Sequence, residues 1–432
     1  MSRATVCLLV LVGLLLPALA SAEGAERPAR LELRTKTLFL PMEQVASASQ
    51  PGSPIFQWLE LSGYDLETPG LAVHTSVWGL GALDGGDDRV TGDPVAGDVD
   101  LLYVEYADPR GRIAARAGRQ LVFSAPGSGY FGQLDGGWVR AAKGPFNVEL
   151  YGGETVEERF RNVGQYDWVG GGRGGYHLFG NINGGVSYFQ ARTGGALARE
   201  NAGADLAWVA TEHLDFAGSA AWDLVDQGFA ESKLIGRIEP LDRLTLGAGF
   251  EQASPGRLMD KSSIFSVFSL GDWAEADGFA QYAINRQWVL TARYARVFFS
   301  DVDGEGLGEA ANRFGGGVTA YPRRDLWLTL EGDRLPSPDN GYSSVRLAGR
   351  FVPLQRFAVT ADLLGYFYDE APLSHDGVGT QSLVARLFGE HRFGSTLYVG
   401  VGGEVAQTVL ASLDVRGVVR ITQDLDILSG GP

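Results

Sequence analysis

Residues 345–364 read VRLAGRFVPLQRFAVTADLL. In the first half Val345, Leu347 and Phe351 alternate with Arg346, Ala348 and Arg350. In the second half Phe357, Val359, Ala361 and Leu363 alternate with Ala358, Thr360, Asp362 and Leu364. Pro353–Arg356 forms a tight polar turn between them. A period of two places the two sets on opposite faces of a strand. One face is apolar throughout, and the other carries charge. The segment therefore predicts an antiparallel hairpin with one greasy side.

The same pattern spreads outward from it. Leu397, Val399, Val401 and Val405 alternate with Tyr398, Gly400, Gly402 and Glu404. Leu326, Leu328 and Leu330 alternate with Trp327, Thr329 and Glu331. Phe146, Val148 and Leu150 alternate with Asn147, Glu149 and Tyr151. Tight turns fall at Glu67–Gly70, Asp108–Gly111, Ala142–Pro145, Gly180–Asn183 and Glu212–Asp215. More follow at Glu239–Arg243, Asn285–Gln287, Pro322–Asp325, Pro353–Arg356 and His391–Gly394. From the second turn onward they recur every 28 to 44 residues. Two strands and a longer Gly- and Asp-rich connection fit between successive turns. This is an up-and-down meander with short turns on one side and long loops on the other.

Two all-β architectures have that rhythm. A soluble propeller repeats a side-chain signature in each blade, and here only the turn character repeats. A transmembrane antiparallel β-barrel needs roughly ten-residue alternating strands, short turns at one rim and long loops at the other. Closure also removes the exposed edges of a sheet whose outer face is greasy. The barrel is the expected fold. Ten turns with both termini on the turn side give 22 strands, within a range of 16 to 22. Ser254–Gly271 leaves two options open at Ser263–Leu270: an extra strand or an inward-folded loop. Either the final strand lies near Leu410–Ile421 with a short tail after about 421, or the assembly signal of a barrel ending Ile427–Pro432 is unusual.

The start of the chain reads as an address. Arg3 precedes an apolar run, Cys7–Ala18, and small residues follow at Ala20, Ser21 and Ala22. That order marks a cleaved secretory signal peptide over 1–22, leaving 23–432 as a single barrel domain. The only cysteine, Cys7, would leave with it. The remainder would then have no disulfide, no thiolate metal site and no haem attachment, and no cofactor is expected.

Composition excludes other classes. The 61 Gly lack a G-X-Y period, so collagen is out. An apolar share of 45% with 11% aromatics is too high for disorder. The net charge is −16 and the only lysines are Lys36, Lys143, Lys233 and Lys261, which argues against nucleic acid.

Charge is sorted between the two rims. The short turns carry Arg110, Arg112, Lys143, Arg243, Arg286, Arg323, Arg324, Arg356 and Arg392. The long loops carry Asp84, Asp87, Asp88, Asp93 and Asp98, then Asp301, Asp303, Glu305 and Glu309. Acidic loops concentrate cations at a pore mouth, or meet lipopolysaccharide through divalent ions. Asp301–Glu305 holds a fragment of a calcium loop without its remaining spacing, so no metal site is expected.

If the apolar face meets lipid, the other lines the inside. That assigns Glu105, Arg116, Arg140, Glu149, Glu231, Lys233, Arg237, Glu331, Arg346, Arg350, Asp362 and Glu404 to the lumen. An arginine turned into hydrocarbon at mid-membrane would cost about 2–4 kcal/mol. Many of Trp58, Tyr64, Trp78, Tyr106, Trp208, Trp222, Trp273, Trp288, Tyr294, Tyr321, Phe351 and Tyr366 are expected in interfacial girdles. Trp138, Tyr151, Trp327 and Tyr398 should face inward, placed to stack sugars or aromatic solutes.

One stretch carries a family resemblance. It comprises Leu102–Tyr106 (LYVEY), Gly118–Gln120 (GRQ), Asp135-Gly136, Gly144–Phe146 (GPF) and Leu150–Gly153 (LYGG). Gly-Arg-Gln at a strand end, then Asp-Gly at the next strand's start, resembles the porin-like outer-membrane β-barrels of Gram-negative bacteria. The resemblance implies a passive channel or a barrel scaffold. It also implies Arg119, Gln120 and Asp135 as constriction candidates, with Val122–Gln133 as a folded-in loop. Plain alternation puts Arg119 on the side of Ile113, Ala115 and Ala117 unless a bulge intervenes near Gly118.

An enzyme would need a histidine beside a nucleophile or a paired acid. His213 and His391 fall in short turns, His375 in a long loop, and His74 and His177 in strands. No such constellation is evident, so no catalytic residue is assigned. The expected function is an outer-membrane channel for passive diffusion of small cationic or neutral hydrophilic solutes. Its surroundings would be outer-membrane lipid and lipopolysaccharide. Two alternatives stay open. One is a scaffold or sheath around a partner protein in the lumen or periplasm, such as an electron-transfer protein. The other is a soluble exported all-β binding protein.

Overall fold

The computed structural model describes residues 30–45, 53–66, 68–82, 95–123, 131–156, 166–254, 272–300, 307–337, 341–369, 379–408 and 413–428. The expected signal peptide, Asp84–Asp93, Asp301–Glu305, His375 and most of Ser254–Gly271 lie outside them. Every element among the described residues is a β-strand, and 23 segments form one sheet. Every pairing is antiparallel, and strands consecutive in sequence are neighbours.

The sheet closes on itself. The first strand, Arg30–Phe39, pairs with Pro54–Tyr64 on one side and with Leu413–Leu428 on the other. Met42–Val45 pairs with the same last strand, so it continues the first one past a break at Leu40-Pro41. Proline has no N–H for the ladder, which explains a break there. The carbonyl of Pro41 still accepts from the Gly417 N–H at 2.7 Å. A Cβ on Gly417 would lie 2.7 Å from Pro41 Cγ, so only glycine fits opposite the ring. With those two segments counted as one strand, the wall has 22 strands.

All ten expected turns gather at one rim, at bounds such as Asp108–Arg112, Gly144-Pro145 and Arg324-Asp325. The opposite rim differs from expectation in two places. Gly194-Gly195 and Leu224–Gln227 are as tight as the turns across the barrel. The last strand also runs further than expected. It pairs from Leu413 to Leu428, so residues 422–428 are wall rather than tail. The first strand needs a partner along its whole length, and this strand supplies it.

One face of the sheet is concave, and the side chains show which. Arg293 reaches Asp333 across the strand that lies between them, Leu307–Arg323. Arg350 reaches Glu390 across Phe357–Tyr368. Bridges over an intervening strand form where side chains converge, on the inside of the curve. Pairing register carries that face without interruption around the ring.

Candidate functional site

The inner wall is the candidate site. Register places all twelve expected lumen residues on this single face. The structure adds their partners. Arg116 donates to Glu105 at 2.7 Å and lies over the ring of Trp138, 4.8 Å from its centroid. Arg346 binds Asp362 through two bonds of 2.9 Å. Arg386 pairs with Glu404 and approaches Asp362 at 4.0 Å. Arg350 and Arg420 share Glu390, at 2.7 and 3.4 Å. Lys233 pairs with Glu251 at 3.3 Å and Arg237 with Asp215 at 2.9 Å. Arg140 stands opposite Glu149 in the ladder, and Glu331 opposite Arg346. Glu231 occupies the same face near the long-loop rim.

Several inner-wall pairs were not singled out in the sequence. Arg173 donates two bonds to Asp205, at 2.6 and 2.8 Å, and a third to Asn147. It lies inside a glycine run where alternation is hard to see. Arg34 ties Asp424 at 2.6 Å and approaches Glu60 at 3.8 Å across the closing strands. Arg313 pairs with Glu275 at 2.5 Å. At the long-loop rim, on the outer face rather than the inner one, Arg334 holds Asp369 through bonds of 2.6 and 2.8 Å. That guanidinium keeps the Asp369 carboxyl below the usual carboxylate range.

The inner wall is not charged everywhere. Val122, Leu134, Tyr151, Val169, Phe189 and Ala191 form one buried cluster toward the long-loop rim. All six share the inner face with Arg116 and Glu105. Leu134, Val169 and Phe189 have no solvent exposure.

The constriction candidates divide. Gln120 belongs to the inner face and is buried. Arg119 and Asp135 hold opposite register positions on the other face. Their side chains form a two-bond pair, at 2.8 and 2.9 Å. Gly118 has φ +121, a conformation other residues rarely adopt, so the backbone departs from regular strand just before Arg119. Of the expected loop Val122–Gln133, both ends are strand: Ile113–Phe123 and Phe131–Lys143. Residues 124–130 lie outside the described ones.

Trp138, Tyr151, Trp327 and Tyr398 all fall on the inner face, as expected. So do Trp58, Tyr64, Trp78, Trp273 and Tyr366, which the expected girdles had claimed. Their parity follows from the strands' register, which strand-end position alone does not reveal. His74 shares that face, bonds Ser62 at 3.0 Å and stacks on Tyr103. His391 lies within the strand Gln381–Phe393 rather than in the turn. Among the described residues no group of three or more His, Cys, Asp or Glu could hold a metal ion.

The outer face is apolar. Val104, Val148, Leu150, Leu206, Leu347, Leu363 and Val401 stand exposed along its middle. Aromatics flank them at both rims. Tyr106, Phe146, Tyr176, Trp208, Phe216 and Trp288 lie toward the turns. Trp168, Tyr188, Trp222, Phe229, Tyr294 and Phe314 lie toward the long loops. Neighbouring strands pair these rings, as Phe146 with Tyr176 at 4.7 Å and Trp222 with Phe229 at 4.9 Å.

A closed sheet, greasy outside between two aromatic girdles and charged inside, has the build of a transmembrane β-barrel. No family model and no curated protein matches the chain. Solved structures do. The translocation pore of the P pilus usher PapC aligns with 92% of this chain and 100% of its own, at 10% identity and TM-score 0.45. Pseudomonas aeruginosa OccK2 (OpdF) aligns over 93% and 98%, at 10% identity and TM-score 0.45. The outer membrane protein OpdK from Pseudomonas aeruginosa aligns over 92% and 98%, at 9% identity and TM-score 0.43.

Proposed function

We propose that the protein is a porin-like outer-membrane channel that lets small hydrophilic solutes diffuse passively through its lumen. One observation carries this. The sheet turns its apolar face outward and its charged face inward around an unbroken ring of paired strands. An apolar outer face with girdles suits lipid, and a wall of arginines and carboxylates suits water. Short turns face the periplasm in such barrels, which puts the long connections outside. Outer-membrane lipid and lipopolysaccharide are then its surroundings.

The fixed charges are mostly matched in pairs, so selectivity by charge is weak. The acidic balance of the whole chain sets its direction toward cationic and neutral solutes. Transport needs no catalytic residue, and we assign none. Of the three constriction candidates only Gln120, on the inner face, keeps that role in the proposal, because Arg119 and Asp135 lie on the outer face. Single-channel recording in a planar bilayer tests the whole. Ohmic currents with a modest cation preference are expected. A folded, inserted barrel without conductance would overturn the channel and favour the scaffold.

A further inference from the structure

The outer face is not evenly filled. Pairing sets Leu363 opposite Ala385 and Gly365 opposite Leu383. Large and small side chains thus cross on neighbouring strands, and the two small ones leave a hollow between the two large ones. Leu347 and Val405 wall the hollow on either side. The groove has a volume of about 650 Å³. Clefts that hold small ligands span about 300–1,000 Å³. Leu347, Leu363, Leu383 and Val405 are 41–49% exposed, so the space opens to the surroundings. It lies between the middle of the outer face and the long-loop rim.

The rim above it is polar and basic. Arg334, Ser343, Phe367 and Gln381 follow one another across the strands, one step above the groove. Arg334 donates to Ser343 at 3.3 Å as well as to Asp369, and 42% of its side chain stays exposed. Arg296 stands two strands away, opposite Asn312, which accepts from the Tyr294 hydroxyl at 2.8 Å. Toward this rim, from Trp288–Ser300 to Gln381–Phe393, Asp369 is the only outward carboxylate among the described side chains. The whole chain carries −16, so a basic outward patch runs against its average.

A second outward groove lacks such a rim. It has about 490 Å³ and lies between Leu150 and Val186. Above it two carboxylates, Glu154 and Glu200, outnumber Arg192.

We propose that the groove at Gly365 and Ala385 is a binding site for lipopolysaccharide, taking one acyl chain of its lipid A between Leu363 and Leu383. The phosphates on the lipid A sugars would meet Arg334 and Arg296 through charge-assisted hydrogen bonds. Long connections face outside in such barrels, so this rim lies in the outer leaflet, where lipopolysaccharide is the anionic lipid. The site depends on the outer face meeting lipid, as the proposed channel does.

Native mass spectrometry of the full chain, folded in detergent, tests it with rough-type lipopolysaccharide as probe. Dephosphorylated lipopolysaccharide and phosphatidylglycerol are run beside it. Lipopolysaccharide should be retained severalfold more than either comparison lipid. Ala385→Phe fills the groove without changing charge and should lower that retention severalfold. Arg334→Gln combined with Arg296→Gln should do the same. Val186→Phe, which fills the second groove, should leave it unchanged. Heat-modifiable mobility in detergent gels checks that each variant is folded. Equal retention by the native chain and folded Ala385→Phe would overturn the site, as would equal retention of phosphatidylglycerol. With either result, insertion of the native barrel into liposomes would leave the membrane placement standing. Failure to insert would overturn that placement, and the site with it.

Discussion

Two flanks of the inner wall are built on different physics. On one, spanning Ile113–Phe123 to Ile182–Thr193, the upper wall is an apolar cluster beside the Arg119–Asp135 pair. On the other, spanning Tyr342–Leu354 to Leu413–Leu428, the wall is a lattice of arginines and carboxylates. Apolar burial needs dry, close packing and cannot be relaxed by water. The charge lattice needs only neighbours of opposite sign, and water can take the place of any one. The first flank is therefore suited to holding shape, and the second to presenting charge to a solute.

Substitutions should separate the flanks sharply. Leu134→Ala on the apolar flank should cost about 2–5 kcal/mol, read as a lower urea midpoint of the folded barrel in detergent. Leu347→Arg, on the outer face of the charged flank, should cost about 2–4 kcal/mol, because it turns a charge toward lipid. Equal stability of that variant and the native barrel would break the assignment of faces. Asp362→Ala should cost less than about 1 kcal/mol, since Arg346 and Arg386 remain hydrated. Its expected signature is electrical instead: a reversal potential moved toward anions. A stability loss as large as that of Leu134→Ala would erase the contrast between flanks.

The smallest effect is a matter of pH. Asp369 follows the strand Phe357–Tyr368, and Arg334 depresses its pKa. A carboxyl depressed in the folded state contributes its stabilisation above the unfolded pKa. That contribution is lost as pH falls through the folded value. The Arg334 tie should then persist into the acid range where a free aspartate is already protonating. A carboxyl-carbon NMR titration of labelled Asp369 would show a midpoint below that of a free aspartate. A midpoint at or above it would remove the tie.

Much of the fold was legible because a barrel repeats one rule. Alternation in 345–364 set the hairpin, and the ten polar turns set the count of strands. Parity then assigned Arg346, Arg350 and Asp362 to one face before any contact was known. Parity did not reveal partners. Glu390 serves both Arg350 and Arg420, from strands that are not neighbours in sequence. Only the curvature of the closed wall brings those side chains together. Arg173 was missed because glycines around it blur the pattern. The girdle assignments of Trp58, Tyr64 and Trp78 failed because strand-end position says nothing about face.

The sequence alone thus determined a meander of amphipathic strands, its turn rim and the residues that share its charged face. Those are local properties, carried by a period of two and by turn chemistry within a few residues. The tertiary structure decided the rest. It closed the ring by pairing Arg30–Phe39 with Leu413–Leu428, nearly the whole chain apart. It chose which carboxylate each arginine holds. It parted the ladder above Arg119, where alternation by itself predicts one more pair of ordinary strands. Each of these depends on distances between residues far apart in sequence, which no local pattern encodes.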